Sequence, residues 1–312
     1  MLRGGSGLLQ RVQLPAKIEY LLIRSGEDLS RRRKSNLSMQ LPAIETSHHV
    51  IIDIGGLPID VQTTDANFER LLLDRYGDYV KTGVTPQFEL RVQLKPSEPS
   101  SFDNDPDASA RVWLEAGEWQ LERNDFHAHW KSAGRSGEVF QSANPYAIDS
   151  VLRIIHTLLL APKGGFLLHS SSAVRNGKAF LFSGVSEAGK TTMVRLAPAD
   201  VAMLTDEASY INRIDGQYFA YGTPFYGEFG KPGENIRAPI AALYLLNKAP
   251  ENRIDPIEPA DALRRLLRNI LFFAHEPEMV RLVFEAACSF VATVPVFQLS
   301  FFPDQRVWDL IG

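Results

Sequence analysis

Cysteine is nearly absent: Cys288 is the only one in 312 residues. One thiol cannot build a disulfide framework. Stability must come from a packed core, and a reducing, cytoplasmic setting is expected. Long apolar runs are absent too; none approaches the ~18 residues that would cross a bilayer. Residues 1–40 lack the central apolar stretch of a signal peptide. Charge of one sign is not in excess: 33 Lys and Arg stand against 37 Asp and Glu, a net charge of −4. That balance gives no footing for nucleic-acid binding. No internal repeat is visible. What remains is an ordinary globular composition, 45% hydrophobic, with length for two domains and a sizeable core.

Three parts are expected along the chain. Residues 1–46 hold Arg31-Arg32-Arg33-Lys34 among Ser, Gly and Gln and read as a solvated, disordered basic leader. Residues 47–143 read as a small β-rich domain with one helix. Val50-Ile51-Ile52-Asp53-Ile54 and Leu57-Pro58-Ile59-Asp60-Val61 flank Gly55-Gly56, the signature of a hairpin. Phe68, Leu71, Leu72 and Tyr76 share a helix face, and Phe88, Leu90, Val92 and Leu94 alternate as in a half-buried strand. A Pro-, Ser- and Asp-rich loop spans 95–109. Strand patterns follow at 112–115, 119–123 and 126–130. His127 and His129 lack nearby Cys or carboxylate at ligand spacing, so a solvated strand face is expected rather than a metal site, and His48-His49 reads the same way.

Residues 144–312 form the third part. Asn144-Pro145 marks a helix start, and Ile148, Val151, Leu152, Ile155 and Leu159 line its apolar face. Strands are expected at 165–169 and 172–175, the second turning at Asn176-Gly177. Further strands are expected at 211–221, turning at Asp215-Gly216, and at 240–246 and 296–301. Helices are expected at 260–273, 277–292 and 304–311.

The strongest chemical signal is Gly184-Val185-Ser186-Glu187-Ala188-Gly189-Lys190-Thr191-Thr192, a phosphate-binding loop of the form G-x-x-x-x-G-K-[ST]. The glycines let backbone N–H groups turn toward phosphate oxygens. Lys190 has the reach for the β- and γ-phosphates of ATP, and the Thr191 hydroxyl can ligate Mg²⁺. The apolar run Ala179-Phe180-Leu181-Phe182 enters the loop as a strand. Thr192 to Leu196 leaves it with helical spacing until Pro198. An antiparallel hairpin feeds this loop, whereas an ordinary P-loop strand opens a parallel βαβ series. The expected fold is therefore α/β with a mixed sheet wrapped around the loop.

Phosphoryl transfer also needs a carboxylate for the metal and a group that takes the acceptor proton. Asp206-Glu207 closes the strand pattern 200–205 and supplies both. Residues 222–230, Gly-Thr-Pro-Phe-Tyr-Gly-Glu-Phe-Gly, read as a shaped loop, with Glu228 either an acid near the acceptor or part of a structural turn. His169 fits a core histidine or a site residue equally. Arg175, Lys231, Arg237, Arg264 and Arg268 are open candidates for phosphate contact.

These motifs together resemble the catalytic domain of HPr kinase/phosphorylase, of the phosphoenolpyruvate-carboxykinase-like fold, over roughly 160–300. The likeness rests on His169-Ser170-Ser171-Ser172, the loop 184–192, Asp206-Glu207 and Gly222 to Glu228. It implies ATP- and Mg²⁺-dependent phosphorylation of a hydroxyl, in the first instance a protein serine. It further implies Asp206 as base, Glu207 and Thr191 on the metal, and His169 near the phosphates. It raises the prospect of a homo-oligomer. The segment by which true HPr kinases dock HPr has no counterpart here, and Glu187 adds an acid to the loop. A nucleotide-sensing module without fast chemistry and a small-metabolite kinase stay open.

Overall fold

The computed structural model describes residues 48–95 and 110–312. The basic leader and most of the 95–109 loop lie outside the described residues. Two mixed sheets make up the fold. The first contains β1 (His48–Ile54), β2 (Leu57–Thr63), β3 (Val80–Lys81), β4 (Phe88–Leu94), β5 (Arg111–Glu115), β6 (Glu118–Arg123), β7 (Phe126–Lys131) and β8 (Ser136–Gln141), in the order β3-β1-β2-β4-β8-β7-β6-β5. β2, β4 and β8 run parallel and the other pairs antiparallel. Helix α1 (Ala66–Tyr76) starts where the Asp65 side chain accepts the N–H groups of Asn67 and Phe68. It buries Phe68, Leu72 and Tyr76 against this sheet. β8 fell outside the expected strands: its alternation is short and follows Gly134.

Helix α2 (Pro145–Leu160) carries the chain from the first sheet to the second. Asn144 caps it through the Tyr146 N–H at 2.9 Å, with Pro145 in the first turn. Eleven of its sixteen residues are buried, so it is a core helix and not a surface one. One hydrophobic cluster continues from Ile52, Val61 and Leu90 through Val151 and Ile155 to Leu167, Tyr210 and Phe225. The expected boundary at 143/144 thus falls between two sheets that share a core.

The second sheet contains β9 (Phe166–Arg175), β10 (Lys178–Ser183), β11 (Ala202–Thr205), β12 (Ala208–Ile214), β13 (Gln217–Tyr221), β14 (Arg237–Lys248), β15 (Arg253–Pro256), β16 (Ile270–Leu271) and β17 (Val296–Phe301). β10 is antiparallel to β9 and parallel to β14, which is parallel to β17. This is the mixed sheet expected. β9, β12, β13, β14 and β10 pair in turn until β10 meets β9 again. β10 is buried at every position after Lys178, because both its faces are covered. Phe180 and Phe182 pack with Met193 and Trp308 on one side. Leu181 packs with Leu266 and Phe290 of helices α4 (Pro259–Leu267) and α5 (Pro277–Thr293) on the other.

Three expectations are corrected. The two strands at 165–169 and 172–175 are one strand, β9. The helix expected over 260–273 stops at Leu267, and Ile270-Leu271 become β16 against β9, so sheet pairing overrides helical spacing. The closing helix is a 3₁₀ turn, Gln305–Leu310. Among the described residues no helix is long and apolar enough to cross a membrane.

Two buried ionisable groups, Asp149 and His156, sit in α2. Asp149 accepts Arg75 Nε at 2.8 Å and also bonds Tyr76. Removing one partner would strand a buried charge, at a cost of about 3–5 kcal/mol. His156 is fully buried, with Tyr210 Oη 3.4 Å from its Nδ1 and no partner for Nε2 among the described residues. Burial pushes its pKa down to about 3, with a further push from Lys163. The unfolded chain therefore binds a proton near pH 6.5 that the folded chain refuses. The stability tied to neutral His156 is complete above about pH 6.5 and is lost as pH falls toward 3, at up to ~1.4 kcal/mol per pH unit. Acid unfolding monitored between pH 7 and 4 should show this slope, and His156→Phe should flatten it.

Candidate functional site

The loop 184–189 leaves β10 at the edge where β10, β14 and β17 all end, and enters helix α3 (Lys190–Arg195). Parallel strands open their C-terminal ends on one side, the usual place for a ligand crevice in such sheets. Gly189 has φ +106°, a left-handed conformation that suits glycine, and a Cβ there would fall 2.6 Å from the Phe301 ring. Both ends of α3 are tied down. Ser171 Oγ donates to the Lys190 carbonyl at 2.7 Å, and Trp308 Nε1 donates to the Met193 carbonyl at 3.0 Å.

Lys190 is 8% exposed. Its ammonium curls back over the loop, donating to the carbonyls of Val185 at 3.2 Å and Gly184 at 3.3 Å. Burial lowers its pKa, while Glu207 and Glu228 pull the other way. Val185, Ser186 and Glu187 are exposed, Glu187 at φ +61°. Ala188 is buried, and Thr191 and Thr192 are half-buried.

Asp206 and Glu207 occupy the corner between β11 and β12, both of which pair with β9. Their surroundings differ. Asp206 is 1% exposed, and both its oxygens accept backbone N–H groups, from Gly227 at 2.9 Å and Phe229 at 2.8 Å. Glu207 is 30% exposed. Its Oε1 lies 3.7 Å from His169 Nδ1 and 3.9 Å from an Arg153 Nη1. His169 ends the β12-paired stretch of β9. Burial lowers its pKa, Glu207 opposes this, and Lys190 and Arg153 add to it. Its imidazole is accordingly neutral at neutral pH. Lys190, His169, Arg153 and Glu207 form one electrostatic group, which Glu228 reaches by its effect on Lys190.

The segment 222–236 crosses over this corner. Thr223 N donates to the Leu204 carbonyl at 3.0 Å, and Thr205 Oγ1 donates to the Phe225 carbonyl at 3.0 Å. At Gly233 a Cβ would land 1.7 Å from the Leu204 oxygen, so only glycine allows this approach. Arg195 donates to the Glu228 carbonyl at 3.0 Å, while the Glu228 side chain is exposed. The first-sheet half grips the same segment. Arg75 donates to Tyr226 Oη at 3.1 Å, Tyr79 Oη to the Gly233 carbonyl at 2.8 Å, and Asn235 Nδ2 to the Asp78 carbonyl at 2.9 Å.

The arginines suggested by sequence lie elsewhere. Arg175 is spent on Asp200 and the carbonyls of Trp308 and Ile311. Arg264 pairs with Asp261, Arg237 stacks on Phe219, and Arg268 caps α4. Lys231 stacks on Phe229, closer to the corner. Arg153 was missed, although a signal existed. Asp149, Arg153 and His156 are spaced i, i+4, i+7, a polar line on a helix that is mostly apolar. His127 and His129 stack with Phe140, half-buried. Among the described residues no three His, Cys, Asp or Glu side chains group to hold a metal. Mg²⁺ does not need such a cage: one or two carboxylates with substrate phosphates suffice. Glu207 and Thr191 fit that donor set.

Fold and site together define an α/β protein of mixed sheets, with the loop 184–189 and helix α3 beside the Asp206-Glu207 corner. The chain belongs to the SynChlorMet cassette protein ScmC family, whose model matches residues 143–312. No curated protein matches it. A solved structure of the HPr(Ser) kinase/phosphatase from Coxiella burnetii is similar at 12% identity, over 46% of this chain and 85% of that one, with a TM-score of 0.25.

Asp206 bonded this way should tolerate no exchange for an amide. In Asp206→Asn one loop N–H would face an NH₂ donor. Hydrogen bonds to charged groups are worth about 1.5–3 kcal/mol each, so the variant should melt several degrees below wild type by calorimetry.

Proposed function

We propose that this protein binds ATP with Mg²⁺ at residues 184–192 and transfers the γ-phosphate to a hydroxyl, in the first instance a protein serine. The catalytic half, residues 144–312, would then be of the phosphoenolpyruvate-carboxykinase-like kind, behind the β-rich half formed by 47–143. The observation that carries the reading is Lys190. It heads a helix at the end of a buried strand, with its ammonium resting on the loop carbonyls it would leave when phosphate arrives.

The different surroundings of the two acids support different roles for them. Asp206 is already engaged by two amides, so it anchors the loop rather than serving as base. Glu207 faces Lys190 and His169 and is the carboxylate free to take the acceptor proton or to join Thr191 on Mg²⁺. The metal would supply charge neutralisation between the phosphates. His169, neutral and half-buried, can donate or accept a hydrogen bond beside them. Glu228, exposed on the covering segment, suits contact with an acceptor. The competing reading, a nucleotide sensor without fast chemistry, draws on the occupied state of Asp206.

γ-Labelled ATP with Mg²⁺, incubated with the protein and with lysate of its source, tests this. Lys190→Ala should lose nucleotide affinity about 10–100-fold, the worth of a charged hydrogen-bond donor. Glu207→Gln should keep nucleotide binding and lose transfer. Label on a discrete protein, absent with Lys190→Ala, supports the kinase. ATP bound without transfer to any acceptor selects the sensor, and transfer undiminished in Glu207→Gln removes Glu207 from its role.

A further inference from the structure

Arg153 has more donors than partners. It projects from α2, and its guanidinium lies over the Phe225 ring, 4.8 Å from the centroid. The side chain is 23% exposed. Its Nε is buried and makes no hydrogen bond among the described residues. Its one ion pair among the described residues, to Glu207 at 3.9 Å, is longer than a hydrogen bond. The ring backs the guanidinium and helps hold it in place, with Nε unspent among the described residues. Buried donors of this kind are rarely left unsatisfied without reason.

The position narrows what would satisfy them. Arg153 and His169 share the same Glu207 oxygen. Glu207 also acts on Lys190, so the guanidinium and the loop ammonium bear on the same carboxylate, and an anion held by Lys190 would lie among these groups. A planar fork of donors suits an oxyanion with charge spread over several oxygens.

We infer that Arg153 contacts the terminal phosphoryl group of the bound nucleotide and distinguishes a triphosphate from a diphosphate. This rests on the nucleotide reading of the loop. Without nucleotide, the guanidinium sits loosely against Glu207. With the triphosphate in place, it bonds the γ-oxygens and leaves Glu207 free for the acceptor proton. The charge spread over the oxygens of the transferred group then lies in front of this cation.

Calorimetric titration with Mg-ATP and with Mg-ADP separates this role from a structural one. Wild type should bind ATP more tightly than ADP. Arg153→Ala should lose about 10-fold in ATP affinity, as expected for a charged contact, with ADP affinity changed less than about twofold. Arg153→Lys keeps the charge and the apolar stem over Phe225, and should retain part of the preference. It also gives the same readout should the alanine variant fold poorly. An equal loss for ATP and ADP, or no change in either, overturns the inference while the nucleotide site stands. Wild-type protein that binds neither nucleotide overturns the reading beneath it, and this inference with it.

Discussion

Asp206 is a buried carboxylate whose two oxygens each take a backbone N–H from the 222–230 segment. In a low-dielectric interior a bare carboxylate is costly, and two charge-assisted hydrogen bonds are what make it tenable. The same bonds fix a glycine-rich segment that has no regular structure of its own. They pin it across the β11–β12 corner and leave Glu207, one residue on, beside His169 and within electrostatic reach of Lys190. Two adjacent acids thus acquire different surroundings from a single turn of backbone.

The first sheet contributes to this arrangement from a distance in sequence. Arg75 is neutralised by Asp149 inside α2 and still reaches Tyr226, and Tyr79 holds the Gly233 carbonyl. The helix that carries Asp149 also carries Arg153 and His156. One helix therefore supplies a strut to the covering segment, a cation to the site and a buried imidazole to the core. The β-rich half is a wall of the site's support, held through one continuous apolar cluster.

Much of this was legible in the sequence where one local rule governed. The β10 run, the Gly184-to-Thr192 spacing and the Asn144-Pro145 cap are each read from a few residues. Legibility failed where tertiary pairing decided. Ser170-Ser171 fell between two expected strands, with Ser172 opening the second. All three are buried within one, because Ser170 and Ser172 bond Ser209 and Ser171 bonds the Lys190 carbonyl. Ile270-Leu271 have helical spacing but complete a strand beside β9. Asp206 and Glu207 were recognisable as a pair, but their different surroundings were not. These depend on amides more than twenty residues away, which no spacing rule records.

Amide hydrogen exchange with and without Mg-ATP tests the central claim most directly: that the phosphate loop and the acid corner form one nucleotide site. The account predicts new protection in 184–192 together with 204–230, and none at the far strands 111–131 of the first sheet. Unchanged exchange at 184–192 under saturating Mg-ATP, or protection confined to the first sheet, would contradict it.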